Sequence, residues 1–518
     1  MTEPHLSRRA ALLAGGAALL GAALPGSTLR ALDPPTPFPE PGPMSTADDL
    51  CFMTAIELTQ RLRRKEVSAR EVMEAHLRQI ARVNPKVNAI VTLVEERALA
   101  GATAADEQLA RGAPIGPLHG LPIAHKDLQE TNGIRTTYGS PIYKDQVPDF
   151  DTLLVQRLRE AGAIALGKTN TPEFGAGSQT FNPVFGPTHN PWDLSKTCGG
   201  SSGGAAVSLA CGMLPIADGS DMGGSLRNPA GFCNVVGFRL SPGRVPSWPE
   251  SLGWFTLATD GPMARTVGDV ALLLSALAGP DPRSPIAQSE PGTRFREPLG
   301  RNLKGVRIAW VKDLGLPFDP AVKQAVDAQR GTFEALGCIV EDAEPDFSDA
   351  DEAFKTGRAW SFATGLGETL KQHRSQMKDT VIWNIEQGLK LTGPNLGRAE
   401  VQRTALWHRV RVFMERYEFI VMPVSQVPPF DVTLPYPTEI NGVPMTTYID
   451  WMKSCYFISA VGNPAISVPC GFTAAGLPVG LQIIGRHQDD WGVLQMGHAF
   501  EQATGLWKRR PPIVERGA

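Results

Sequence analysis

Two glycine- and serine-rich runs hold the residues whose types and spacing best suit chemistry. They are Thr197-Cys198-Gly199-Gly200-Ser201-Ser202-Gly203-Gly204-Ala205 and Asp218-Gly219-Ser220-Asp221-Met222-Gly223-Gly224-Ser225-Leu226-Arg227-Asn228-Pro229. One such run is explained by a turn. Two, joined by a small-residue helix expected from about 204 to 213, ask for more. Glycine lets the backbone approach closely and adopt dihedrals closed to other residues, so several amides can converge on one point. Amides converging beside a serine build an oxyanion hole, which is what acyl transfer needs.

Other short motifs compete for the chemistry. Gly162-Ala163-Ile164-Ala165-Leu166-Gly167-Lys168-Thr169 matches the phosphate-loop pattern in letters. That pattern needs a loop after a strand and before a helix. Here the variable residues read as the strand itself, and Pro172 blocks an immediate helix, so nucleotide binding is not expected. Gly199-Gly200-Ser201-Ser202-Gly203 fits a nucleophile elbow, which would need a downstream acid and histidine. His373, His408, His487 and His498 are available, but the first two lie in polar helical stretches. Ser375-Gln376-Met377-Lys378 and Lys355-Thr356-Gly357 resemble penicillin-recognising motifs in reversed order and without S-D-N.

Strand and helix signals alternate around these runs. Ser68-Ala69-Arg70-Glu71 is a capping box ahead of Met73, Leu77 and Ile80 on one helical face, and Asn84-Pro85 should end that helix. Leu121 to Lys126 reads as a buried strand ending in a charge; Asp151 to Ala161 reads as helix and Ala163 to Leu166 as the next strand. Ile420 to Pro423 and Pro478 to Ile484 are further strands, and residues 282–302 a surface loop. The alternation predicts an α/β architecture with helices on both faces of a sheet. On its own, Lys126 would be an ion-paired lysine at a strand end.

Taken together, these motifs resemble the amidase signature family. The resemblance rests on GGSSGG at 199–204, GSDMGGS at 219–225 and Lys126 in HGLPIAHKD, with 75 residues from Lys126 to Ser201 and 24 from Ser201 to Ser225. It extends through GKTNTPEFG at 167–175 and NPAISVPCGF at 463–472, and covers most of residues 48–510. It implies a single large domain, 48–518, around a central mixed, twisted sheet. It also implies a serine–serine–lysine triad: Ser225 attacks, and Ser201, after a cis peptide bond, relays the proton to neutral Lys126. Amides of Met222, Gly223, Gly224 and Ser225 would hold the oxyanion, with Ser202 supporting the loop. A desolvated lysine can replace histidine as base, and no metal or organic cofactor is required. Two departures stand out: Met222 where relatives carry Thr or Ile, and Phe238-Arg239-Leu240-Ser241 in place of Leu-Lys-Pro-Thr. Asp221 and Arg227 are expected to brace the nucleophile loop as an ion pair.

Composition limits the partners. Apolar residues at 42% and charged residues at 20% suit a soluble globular protein with a full core, and a formal net charge of -3 speaks against a nucleic-acid binder. Seven cysteines without regular spacing are not a disulfide framework, and no Cys/His cluster has zinc spacing. Ser7-Arg8-Arg9 before the uncharged run Ala10 to Leu24, too short to span a membrane, reads as a twin-arginine export signal over 1–31, which would place the protein in the periplasm. A Pro-rich spacer fills 32–47. The expected partner is a small-molecule amide, anilide or carbamate, with no nucleic acid and no stable membrane span, and a homodimer as the expected assembly. A serine esterase using Ser201 and a histidine, or one component of an amidotransferase assembly, are the alternatives. Trp360, Phe362, Trp383, Trp407, Tyr436 and Trp451 are expected to supply much of the acyl-side pocket.

Overall fold

The apolar segments that the sequence marks as strands do form strands, but two separate sheets share them. In the computed structural model, which describes residues 47–515, Ile90–Leu93 (β1), Pro122–Lys126 (β2) and Ile164–Thr169 (β3) make a three-stranded sheet in the order β1-β3-β2. Strand β2 runs parallel to β3, and β1 antiparallel to it. The larger sheet takes Ile216–Asp221 (β4), Val236–Arg239 (β5), Thr259–Ala264 (β6), Arg307–Trp310 (β7), Ile339–Asp342 (β8), Phe419–Pro423 (β9), Ala465–Phe472 (β10) and Pro478–Ile484 (β11). Its order is β8-β7-β9-β11-β10-β5-β6-β4. The pairings β7–β8 and β7–β9 are parallel and the rest antiparallel, so the sheet is mixed.

Strands β9 and β11 are buried at every position, as expected of strands covered on both faces rather than alternating in and out. The flanking helices supply that cover. Those that bear on the site are α1 (Ala69–Val87), α2 (Gly203–Ala210), α3 (Arg227–Cys233), α4 (Ala350–His373), α5 (Asp379–Leu389) and α6 (Lys453–Val461). The capping box at Ser68 starts α1, with the Ser68 hydroxyl and the Glu71 carboxylate each bonded to the other's backbone N–H. Pro85 does not end it. The helix continues to Val87, closed by Asn88 in the left-handed region. Asn84 holds the exit by accepting the Ala89 and Ile90 amides, both at 2.9 Å. Helix α2 needs its small residues: a Cβ on Gly204 would lie 2.3 Å from the Asn170 nitrogen and 2.5 Å from the Ala89 carbonyl oxygen.

Within residues 282–302 a 3-10 turn, Gly292–Arg296, buries Phe295 beneath the Arg244 guanidinium, so this stretch is less exposed than a plain loop. All seven cysteines are buried, and no disulfide joins any of them. Among the described residues no helix is long and apolar enough to cross a membrane. The expected leader and spacer, 1–31 and most of 32–47, lie outside the described residues.

Candidate active site

Lys126 is the last residue of β2, and the two serine-rich runs bring three hydroxyls to it. Its Nζ lies 2.7 Å from Ser201 Oγ, 2.9 Å from Ser202 Oγ and 3.0 Å from Ser220 Oγ. The side chain is fully buried. Because Lys126 and Ser220 sit on different sheets, something must join them, and Asp218 on β4 does. Its carboxylate accepts the Lys126 backbone amide at 3.0 Å and pairs with His125 Nδ1 at 2.7 Å, where all three residues are buried. Burial pushes the Lys126 ammonium down to about 7, although Asp260, Asp221 and Asp218 pull it upward. A lysine in water holds its proton near 10.4; this one is poised to exchange it at neutral pH.

Ser201 and Ser202 precede α2, and the Gly200–Ser201 peptide is cis. The Ser202 amide donates to the Ser225 carbonyl at 3.2 Å, so the two runs are stitched backbone to backbone. Ser225 stands between β4 and α3, 8% exposed, and its hydroxyl has no hydrogen-bond partner among the described residues. The loop that presents it is braced from beneath by Asp221. That carboxylate accepts the Gly224 and Leu226 amides at 2.8 and 3.2 Å, Arg227 Nε at 3.0 Å and Arg239 Nη1 at 3.1 Å. Burial alone would raise the Asp221 carboxyl, but the two guanidiniums outweigh it and hold it far below the usual carboxylate range. The expected Asp221–Arg227 pair is thus a triad. Its third member, Arg239, is one of the four residues by which Phe238-Arg239-Leu240-Ser241 departs from Leu-Lys-Pro-Thr.

The oxyanion donors need one correction. Gly224 is committed to Asp221, so its amide braces the loop and is not free for substrate. The amides of Met222, Gly223 and Ser225 have no partner among the described residues and remain available. Gly224 is still obligatory: its φ is +114°, and a Cβ there would lie 2.5 Å from Cys455 Cβ on α6.

The competing motifs separate cleanly. Lys168 lies buried on β3, its ammonium on the Gln129 carbonyl and Thr131 Oγ1, and burial brings it down to about 8. It is a strand residue, with no loop of amides around it. No histidine among the described residues bonds Ser201 or Ser225. His408 and His487 pack on Trp407, His373 meets Gln376, and His498 faces Glu501. The elbow reading therefore lacks its base. Lys378 donates to the Ala176 carbonyl at 2.9 Å, so the S-x-x-K likeness is one of letters. Among the described residues no cluster of His, Cys, Asp and Glu could hold a metal.

The six aromatics divide. Phe362, Trp383 and Tyr436 gather near Tyr448, whereas Trp451 is core between Phe232 and Phe430, Trp360 packs on Phe255, and Trp407 stands among histidines. Sequence reasoning assigned no role to Ser220, Asp218 and His125. The only signal for them was adjacency to the motifs, since Ser220 and Asp218 open the second run and His125 precedes Lys126.

Comparison with known proteins agrees with this geometry. The family model "Amidase" matches residues 71–494. An acylamidase of Rhodococcus erythropolis is 36% identical over 472 residues, 90% of this chain and 98% of that protein. The A component of a glutamyl-tRNA(Gln) amidotransferase of Geobacillus kaustophilus is 38% identical over 483 residues, 88% of this chain and 98% of that one. Among solved structures, a bacterial aryl acylamidase superposes with a TM-score of 0.82 at 28% identity, covering 88% of this chain and 98% of its own. A 6-aminohexanoate cyclic dimer hydrolase does so with 0.82 at 26%, covering 90% and 100%. With the match running through both serine-rich runs and the lysine strand, the chain belongs to the amidase family and is an amidohydrolase, cleaving carbon–nitrogen amide bonds.

Proposed function

We propose that this chain is a free-standing amidase for small amides, anilides or aryl carbamates, with Ser225 as nucleophile and Lys126 as base. The observation that carries it is the fully buried Lys126 ammonium held by Ser201 and Ser202 at 2.7 and 2.9 Å. Neutral Lys126 takes the Ser201 proton as Ser201 takes that of Ser225, and Ser225 Oγ bonds the substrate carbonyl carbon. The carbonyl oxygen becomes an oxyanion against the amides of Met222, Gly223 and Ser225. Lys126 returns the proton through Ser201 to the leaving nitrogen, and the carbon–nitrogen bond breaks to leave an acyl-Ser225. Water then attacks the acyl-enzyme by the same proton path and releases the acid. Ser202 and Ser220 point the ammonium, and Asp218 fixes the strand that carries it.

The similarity to acylamidases supports the anilide class, since one solved relative is described as an aryl acylamidase. The similarity to one component of a tRNA amidotransferase supports a second reading, as part of such an assembly. The test is a hydrolysis screen of the purified chain alone against aliphatic amides, anilides, aryl carbamates and esters, with glutamine included. Turnover of anilides or simple amides is expected. Release of ammonia from glutamine only, and only with the other amidotransferase components added, would favour the second reading. Export through the twin-arginine route to the periplasm is our reading of Arg8, Arg9 and the apolar run after them, and it rests on sequence alone.

A further inference from the structure

Arg358, on α4, is 4% exposed yet has no carboxylate partner among the described residues. Its Nη2 lies 2.9 Å from Tyr448 Oη, and its Nη1 finds only the Met222 sulfur, at 3.3 Å. Its Nε is buried without any hydrogen-bond partner. The guanidinium lies over the Phe362 ring, 4.6 Å from its centroid, and Asn384 on α5 donates to the same Tyr448 hydroxyl. Among the other buried arginines, Arg227 and Arg239 are answered by Asp221 and Arg244 by Asp490 and Glu290, while Arg265 is held by the carbonyls of Met53, Leu209 and Leu214; Arg358 has neither. A desolvated cation with an idle donor and a thioether for an acceptor is costly unless an anion completes it. A thioether is a weak acceptor, readily displaced by an oxyanion.

The position of this cation gives it a use. Met222 belongs to the loop whose amides the proposed mechanism assigns to the oxyanion, and its sulfur contact sets the guanidinium against that loop. Met222 and Phe362 also share an apolar cluster with Met377 and Ile382. Those last two also line an open surface cavity of about 670 Å³ with Trp383, on the solvent side of that cluster. We propose that Arg358, with Tyr448, forms a subsite for a carboxylate that the substrate carries a few atoms from its scissile amide. The guanidinium fork suits a carboxylate's two oxygens, and the Phe362 ring supports its face. This names a substrate class for the amidase reading above and rests on it.

The test compares two amides of equal length, glutaric acid monoanilide and pentananilide, and separately titrates the wild-type protein with glutarate by calorimetry. Wild type should prefer the carboxylate-bearing anilide in kcat/KM by roughly tenfold to a hundredfold, the range for hydrogen bonds to charged groups. It should also bind glutarate. Arg358→Met should bring the ratio of the two substrates close to one and abolish glutarate binding. Arg358→Lys, which keeps the charge but not the fork, should fall between. A brace for Tyr448 would alter both substrates alike and leave the ratio unmoved. The inference is overturned if wild type shows no preference and no glutarate binding, or if Arg358→Met and Arg358→Lys both keep the wild-type ratio. If wild type hydrolysed neither anilide, the amidase reading for that class would fail, and glutarate binding by wild type against the variants would still decide the subsite.

Discussion

Replacing Lys126 with methionine should remove both the base and a standing cost to stability, and the two effects follow different pH windows. The structure brings the lysine down to about 7 from an ordinary 10.5. That difference of 3.5 units corresponds to about 5 kcal/mol of disfavoured protonation. At pH 7 half the molecules hold the neutral base, where an unperturbed lysine would offer about one in 3,000. Wild-type kcat/KM should therefore fall about tenfold per unit below pH 7 and level off above it. Lys126→Met should lose at least roughly 10³-fold and with it that slope. For stability, the folded value lies below the unfolded one, so the unfolded chain binds the extra proton. The penalty is complete below pH 7, shrinks as pH rises from 7 to 10.5, and is gone above. Denaturant unfolding at stepped pH should show wild type gaining on Lys126→Met across that window by up to about 5 kcal/mol. A variant that keeps the wild-type profile at a comparable rate would refute the assignment. So would a wild-type rate still climbing tenfold per unit at pH 9.5.

Ser225→Ala should abolish turnover with folding intact by circular dichroism; near wild-type activity there, with Ser201→Ala dead, would move the nucleophile to Ser201. Asp221→Asn leaves the fully buried Arg227 and Arg239 without their charge partner and should cost about 3–5 kcal/mol in denaturant unfolding; a loss under 1 kcal/mol would contradict the bracing role. Asp260, raised to about 6 by burial and by the charge of Asp218, favours the Lys126 ammonium. Asp260→Asn should accordingly shift the acid limb of the rate profile to lower pH, and an unmoved or raised limb would count against that coupling. A reporter fused to residues 1–45 should be exported, and Arg8→Lys with Arg9→Lys should retain it in the cytoplasm; indifference to the change would reject the leader.

What could be read from the chain itself was local or carried by motif. Glycine–serine runs declare converging amides because only glycine fits such backbone, which singled out the loops of Ser201 and Ser225; Lys126 and Ser202 joined them as a set only through the family resemblance. Strands such as Phe419–Pro423 and Pro478–Ile484 were legible as well, because their apolar runs are short and bounded. Pro85 misled because a helix terminus depends on how its end groups are satisfied: here the Asn88 amide donates to the Asn84 carbonyl, and the Asn84 side chain accepts the Ala89 and Ile90 amides beyond it. Four things were settled by tertiary structure alone. Lys126 comes from a sheet separate from β4, with Asp218 as the link. The Gly224 amide is taken by Asp221. The third support of the nucleophile loop is Arg239. And Arg358, 133 positions beyond Ser225 in the chain, lies against the loop by its contact with Met222. Each turns on which buried donor meets which acceptor, whether three residues apart, as Gly224 and Asp221 are, or 136, as Arg358 and Met222 are. Spacing does not encode that, because burial decides which polar groups must be paired and only the packed fold decides what is near enough to pair them.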